Sequence, residues 1–164
     1  KISGNKLNIS DTGSVDLYLS ADSDNSDESH VPRLHFVQDG NATRMIIGSE
    51  GTGGTAFSNS AGNSPYLISV GSVPLLVGTD STGRWQFTSS GHFNPMANNS
   101  YDIGSSSTRV RNIFTNDLNL SNEGSSNDVD GTWGSYTIQE GAEDLFLINK
   151  RNGKKYKFNL TEVS

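Results

Sequence analysis

The sequence contains no cysteine, 4 prolines among 164 residues and no apolar run of the roughly 18 residues that a membrane span needs. The missing cysteines exclude disulfides, thiolate metal sites and cysteine nucleophiles. Only 32% of the residues are hydrophobic, so a lone chain has little material for a core. Basic residues are also few. The formal net charge of −6 argues against nucleic-acid binding, and we expect no membrane insertion.

The apolar residues that are present fall in short segments bounded by glycine, serine, asparagine and aspartate, a pattern typical of β-strands joined by turns. The segments are VDLYLS (15–20), RLHFVQ (33–38), RMIIGS (44–49), PYLISVG (65–71), PLLVG (74–78) and RWQFTSS (84–90). Near the C-terminus, Asn152-Gly153 stands between two alternating runs, which is a strong hairpin signal. The sequence therefore predicts an all-β fold of short antiparallel strands.

Composition divides the chain into three regions. Residues 1–93 form a strand-rich region, 94–117 form a junction with a proline, an asparagine-rich turn and a serine run, and 118–164 are again strand-like and end in the hairpin. Within the junction, the i, i+3, i+4 spacing of Val110, Ile113 and Phe114 is compatible with one short helix. We expect little other helix.

Short strands with exposed edges and a thin core make an unstable monomer. Packing three copies around one axis would hide edges and apolar faces that one chain cannot hide. The predicted architecture is therefore a homotrimer of short antiparallel strands, of the β-sandwich or β-prism type, with 118–164 as the segment that closes the trimer.

The junction carries the most specific pattern in the chain, NPMANNSYDIGSSSTR. It resembles an N-P-x-x-x-N-x-Y-D-[LI]-G-S-S-S-x-R stretch found near the tips of tailed-bacteriophage tail fibres and tailspikes. The matching residues are Asn94, Pro95, Asn99, Tyr101, Asp102, Ile103, Gly104, Ser105 to Ser107 and Arg109. The blocks around it, ADSDNSDESHVPRLHFVQDG and the stretch from Ser121 to Leu160, resemble segments of the same proteins.

This resemblance implies a fibre-like, homotrimeric receptor-binding protein of the virion that attaches to a bacterial surface, with 1–93 as its fibre and receptor-binding region. Its partners would be two further copies of the chain, other tail or fibre proteins, and a surface glycan or outer-surface protein of the host. Many relatives continue into a self-cleaving chaperone domain, which is not recognisable before the chain ends at NLTEVS. Two other functions stay open: a structural shaft that binds no receptor, and a polysaccharide depolymerase.

The segment from Asp22 to Glu28 alternates side-chain oxygens, with Asp22, Asp24, Asp27 and Glu28 as candidate Ca²⁺ ligands. It lacks the glycine and glutamate of an EF-hand loop, and a solvated acidic turn is the favoured interpretation. No other cofactor is predicted. If the segment holds calcium, we expect chelation to weaken adhesion.

Aromatic side chains in polar, loop-like surroundings are the candidate receptor contacts, because a ring stacks on the apolar face of a sugar while neighbouring polar groups bind its hydroxyls. They are Phe57, Tyr66, His92, Trp133 and Tyr136. Trp85 and Phe87 share a strand face and are assigned to a core or a trimer axis.

No catalytic residues are predicted, and we expect the chain not to be an enzyme. The sequence has no G-x-S-x-G motif, which would supply a nucleophilic serine. The glycine cluster at 48–55 lacks the lysine of a phosphate loop. A depolymerase would need two carboxylates about 5 to 9.5 Å apart. Candidates are Asp39, Glu50, Asp80, Glu140 and Asp144, although turns of any acidic β-protein carry such groups.

Overall fold

The structure is a computed structural model that describes residues 7–26, 29–40, 42–54 and 56–163. This part of the chain is all-β and contains no helix, as the sequence predicts. The strands are β1 (Arg33–Gln38), β2 (Ala42–Ser49), β3 (Pro65–Ser69), β4 (Leu75–Thr79), β5 (Thr82–Phe87), β6 (Phe93–Pro95), β7 (Leu118–Ser121), β8 (Ser135–Glu140), β9 (Leu145–Asn149) and β10 (Lys155–Lys157).

The strands form three small antiparallel sheets. The first has the order β1-β2-β3, the second β4-β5-β6, and the third β10-β9-β8-β7. Neighbours in each sheet are also neighbours in sequence, as expected where turns rather than long crossovers join the strands. Five of the six predicted apolar segments match β1 to β5.

The predicted hairpin at Asn152-Gly153 is confirmed, with β9 paired to β10. Gly153 has a φ of +73°, a value that glycine adopts without strain, and its amide donates to the carbonyl of Asn149. The Asn152 side chain accepts from the amide of Lys154. Turn chemistry thus fixes the register of this arm.

Two local expectations are wrong. The segment VDLYLS (15–20) is not a strand, since none of the described segments pairs with it, and Leu17 and Tyr18 are exposed. The helical turn around Val110, Ile113 and Phe114 is absent. Phe114 is 93% exposed there, so no packing supports a nucleus that is costly to form in isolation.

The chain forms two compact units, Lys1–Tyr101 and Asp102–Ser164. In neither unit is a hydrophobic side chain buried among the described residues. The buried side chains there are polar: Glu50, Thr137 and Asn149. Each sheet therefore lacks the apolar cover that a folded domain normally provides. None of the described segments forms a helix long and apolar enough to cross a membrane.

The strand registers show which side chains share a face, because directly opposed residues point the same way. In the first sheet, Leu34, Ile47 and Leu67 are aligned across all three strands, with Phe36 opposite Met45 beside them. The other face aligns Arg33, Gly48 and Tyr66, followed by His35, Ile46 and Ile68. The first set forms an open apolar face, and the second forms the floor of a cavity.

The second sheet repeats the pattern. One of its faces consists of apolar side chains alone: Leu75, Val77, Trp85, Phe87, Phe93 and Pro95. The Trp85 and Phe93 rings stack with their centroids 4.6 Å apart, and the Phe87 ring lies 4.8 Å from Phe93. This confirms that Trp85 and Phe87 share a face. Phe87 and Phe93 remain nearly half exposed, so the cluster is uncovered on its outer side.

Candidate functional site

A cavity of about 320 Å³ lies on the first sheet, on the side opposite the apolar face. Its floor is formed by Arg33, Ile46, Tyr66 and Ile68, and Phe57 closes it from the loop between β2 and β3. The Phe57 and Tyr66 rings meet edge to face, with centroids 5.2 Å apart and planes at 76°. The structure thus brings together two of the five aromatic residues predicted from the sequence.

Gly48 allows the Tyr66 ring to lie across β2. A Cβ atom at position 48 would stand 2.8 Å from the Tyr66 hydroxyl oxygen and 2.9 Å from the carbonyl oxygen of Pro32. In this position the Tyr66 hydroxyl accepts a 2.9 Å hydrogen bond from Nε of Arg33. The missing side chain therefore sets the contact that orients the one charged group lining the cavity.

The loop that carries Phe57 is tied to the sheet by Glu50, which is 7% exposed. The Glu50 carboxylate accepts a 2.7 Å hydrogen bond from the amide of Ala56, the residue before Phe57. Further along, the Ser60 hydroxyl donates to the carbonyl of Gly54 at 2.6 Å. These bonds place the Phe57 ring over the cavity before any ligand arrives, which reduces the ordering that binding would otherwise require.

The predicted contact His92 lies in the turn between β5 and β6. Its amide donates to the Thr88 hydroxyl, and its carbonyl accepts from the amide of Thr88. The residue is exposed. Its contacts are those of a turn residue.

In the second unit, Trp133 and Tyr136 have separate surroundings. The guanidinium of Arg151 lies 4.0 Å above the Trp133 ring and donates a 2.6 Å hydrogen bond to the Trp133 carbonyl. The Tyr136 hydroxyl accepts a hydrogen bond from the side chain of Asn149. Arg151 thus occupies one face of the indole, and the Tyr136 ring lines a more open polar groove on β7 and β8 with Asn122.

A well-connected polar loop begins beside this groove. The Asn127 side chain accepts from the amides of Val129 and Asp130 and donates to Asp130, while the Thr132 amide and hydroxyl also donate to the Asp130 carboxylate. The Thr132 amide, then the Asn127 and Thr132 side chains, lower the pKa of Asp130 below its ordinary value of 3.8. The loop is ordered by its own hydrogen bonds.

The predicted calcium ligands fall in two groups. Asp22 and Asp24 lie in a tight turn, where Ser26 donates from its amide to Asp22 and from its hydroxyl to Asp24, each at 2.9 Å. Asp27 and Glu28 lie outside the described residues. Within the described ranges, no three acidic or histidine side chains converge to hold a metal ion. Calcium binding stays a prediction.

Several carboxylates proposed for a depolymerase have structural partners. Asp39 forms a 2.8 Å ion pair with Arg44, and Asp144 forms one of the same length with Lys157. Glu50 holds the Phe57 loop. Each of these carboxylates thus has a role in turn or loop structure.

The junction motif starts from the edge of the second sheet. Tyr101 packs 6.2 Å from Trp85 and under the guanidinium of Arg84, whose Nη1 donates to its hydroxyl at 3.3 Å. Gly104 follows with a φ of +87°, and the Ser105 side chain accepts from the amide of Thr108. The aromatic and glycine positions of the motif therefore have identifiable structural roles.

The residues that assemble the cavity around Phe57 and Tyr66 were not among the receptor contacts predicted from the sequence. Arg33 and Gly48 are brought beside Tyr66 by strand register, and Glu50 reads in sequence as one more acidic turn residue. One usable signal was present: glycine inside the apolar run RMIIGS marks a close approach of another group to the strand.

No protein-family model, curated protein or solved structure matches the chain. The class that the fold and site define is an all-β chain of small antiparallel sheets with uncovered apolar faces and an aromatic cavity.

Proposed function

We propose that the chain is part of a bacteriophage tail-fibre tip, a homotrimer in the virion that attaches to a glycan on the bacterial surface. The observation that carries the proposal is the two-sided first sheet. One face is apolar and open, which suits other copies of the chain, and the opposite face holds a preformed aromatic cavity, which suits a ligand. Assembly through the first face leaves the second accessible.

The exposed area supports assembly. The chain exposes 13783 Å² of accessible surface. A folded monomer of 17.6 kDa exposes about 7,900 Å², and two separately folded units of these sizes together expose about 9,500 Å². The excess of about 4,000 Å² per chain is of the size that obligate interfaces bury.

The exposed surface includes apolar faces, as an interface between copies of the chain requires. Leu34, Phe36, Ile47 and Leu67 on the open face of the first sheet are each 40–53% exposed, and the second sheet has its own apolar face. Contiguous apolar patches of this kind are uncommon on soluble monomers and mark interaction sites. Three identical copies would cover them with equivalent surfaces around a closed axis.

In this proposal, the strength of attachment comes from many weak contacts made at once. Each trimer would present three equal cavities, and several fibres act on one particle, so that weak contacts to single sugars combine into firm adhesion. The edge-to-face pair of Phe57 and Tyr66 offers a ring to the apolar face of a sugar. The chain performs no bond cleavage in this proposal.

The test combines mass and binding. Light scattering of the purified chain should give three times 17.6 kDa, and the fluorescently labelled trimer should bind cells of at least one strain in a bacterial panel. A folded monomer would refute the architecture. A trimer that binds no strain would favour the structural-shaft function instead, and release of reducing ends from capsule or lipopolysaccharide would favour the depolymerase.

A further inference from the structure

The cavity on the first sheet holds one charged group, and that group is positively charged. Among the residues that line it, the others are apolar, aromatic or neutral, and Arg33 alone is ionised. The chain around it is acidic, with a formal net charge of −6. The charge of the Arg33 guanidinium is opposite in sign to the net charge of the chain. Its attraction for an anion therefore acts at short range, on a ligand inside the cavity.

The arrangement leaves donors free for an anion. Arg33 uses Nε for the Tyr66 hydroxyl, and its two terminal nitrogens make no hydrogen bond or ion pair within the described ranges. Because the Tyr66 hydroxyl accepts that bond, its own proton remains available to donate. The cavity therefore presents guanidinium and phenol hydrogens side by side, a set that a planar carboxylate can accept.

Size and lining define the rest of the ligand. The volume of about 320 Å³ is at the lower end of ligand sites, which span about 300 to 1,000 Å³, and so suits one sugar residue rather than a long chain. Phe57 and Tyr66 supply ring surface for the apolar face of the sugar. One guanidinium balances the single charge of a carboxylate, whereas a phosphate monoester carries about 1.5 to 2 charges.

We propose that this cavity binds a carboxylate-bearing sugar residue, such as a uronic or sialic acid, with Arg33 as the carboxylate ligand. The proposal rests on the proposed function, since it names the class of surface glycan that the fibre would recognise. Tyr66 orients the guanidinium and donates to the same carboxylate, and Phe57 packs on the sugar ring.

The test uses the full chain and four polysaccharides: alginate, polygalacturonate, hyaluronan and polysialic acid, each with its carboxyl-reduced form. Binding is measured by biolayer interferometry. We expect at least one acidic form to bind and its reduced form to lose affinity. Arg33→Gln should weaken the binding about tenfold, the loss expected for one charge-assisted hydrogen-bonded contact. Tyr66→Phe should weaken it about threefold.

Arg44→Gln is the matched control, because Arg44 lies on the same sheet, pairs with Asp39 and does not line the cavity. It removes the same charge and should leave binding unchanged. The inference is overturned if none of the four acidic polysaccharides binds, if the reduced forms bind equally, or if the two arginine variants behave alike.

Three further results separate this inference from the proposed function. If Arg33→Gln binds bacterial cells as well as the unaltered chain does, the acidic-sugar site is wrong and attachment stands. If Arg33→Gln instead dissociates the trimer, Arg33 is an interface residue and the site is again wrong. If acidic polysaccharides bind through Arg33 but no cells bind, the site stands and the attachment function fails.

Discussion

Replacing Gly48 by alanine should disturb the cavity from its floor. The new Cβ atom would lie 2.9 Å from Cζ of Tyr66 and 2.9 Å from the Pro32 carbonyl oxygen, whereas ordinary contacts begin at 3.4 Å. The ring must therefore shift by about 0.5 Å away from position 48, which disturbs the hydrogen bond between the Tyr66 hydroxyl and Arg33. The backbone oxygen cannot move as easily, because it also accepts a hydrogen bond from the amide of Ser49.

Overpacking of this kind costs about 1–3 kcal/mol. A gain of about 0.4–1 kcal/mol opposes it, since alanine restricts the unfolded chain more than glycine does. The overpacking cost is the larger, so we expect the free energy of unfolding to fall by about 1–2 kcal/mol. For a unit of this length, that lowers Tm by about 4 °C or more in calorimetry at equal chain concentration.

Gly13→Ala is the control for this substitution. A Cβ at Gly13 meets no atom within 4 Å, and its φ is not in the left-handed region. Equal Tm values for the two variants, together with unchanged polysaccharide binding by Gly48→Ala, would refute the argument that Gly48 provides the space for Tyr66.

Three other predictions follow from the interface, the indole and the acidic loop. Ile47→Asp places a charge on the open apolar face and should reduce the trimer to single chains in light scattering. Thr79→Asp, at an exposed polar position, is the control and should leave the trimer intact. A stable Ile47→Asp trimer would contradict the proposed interface. Arg151→Ala should shift the NMR indole resonance of Trp133 and lower the stability of the second unit by about 1 kcal/mol; an unmoved resonance would contradict the stacking. The folded-state pKa of Asp130 is lowered, so its loop is stabilised above the ordinary value of 3.8 and loses that contribution as pH falls through the lower folded-state value. The midpoint of the Asp130 titration, followed by the Asp130 side-chain resonance in NMR, should therefore lie below 3.8, and a midpoint at or above 3.8 would contradict the loop geometry.

Local signals in the sequence were sufficient for the strands and their turns. Segments such as RMIIGS and PYLISVG carry their own apolar residues and turn boundaries, and Asn152-Gly153 encodes a hairpin through backbone preferences alone. The failures occurred where a local pattern needs support from elsewhere. VDLYLS has strand alternation but no partner strand in the described chain, and the residues around Phe114 have helical spacing but nothing to pack against.

The sequence by itself determined that the chain is all-β, acidic and short of core-forming residues, because these properties depend on residue types and their spacing along the chain. Phe57 and Tyr66 could likewise be chosen as candidates from their polar surroundings. Only tertiary structure decided that they meet, that Arg33 lies beside them and that Gly48 leaves room for the ring. Strand register sets those contacts, and register depends on pairing between segments far apart in sequence, which no local pattern contains.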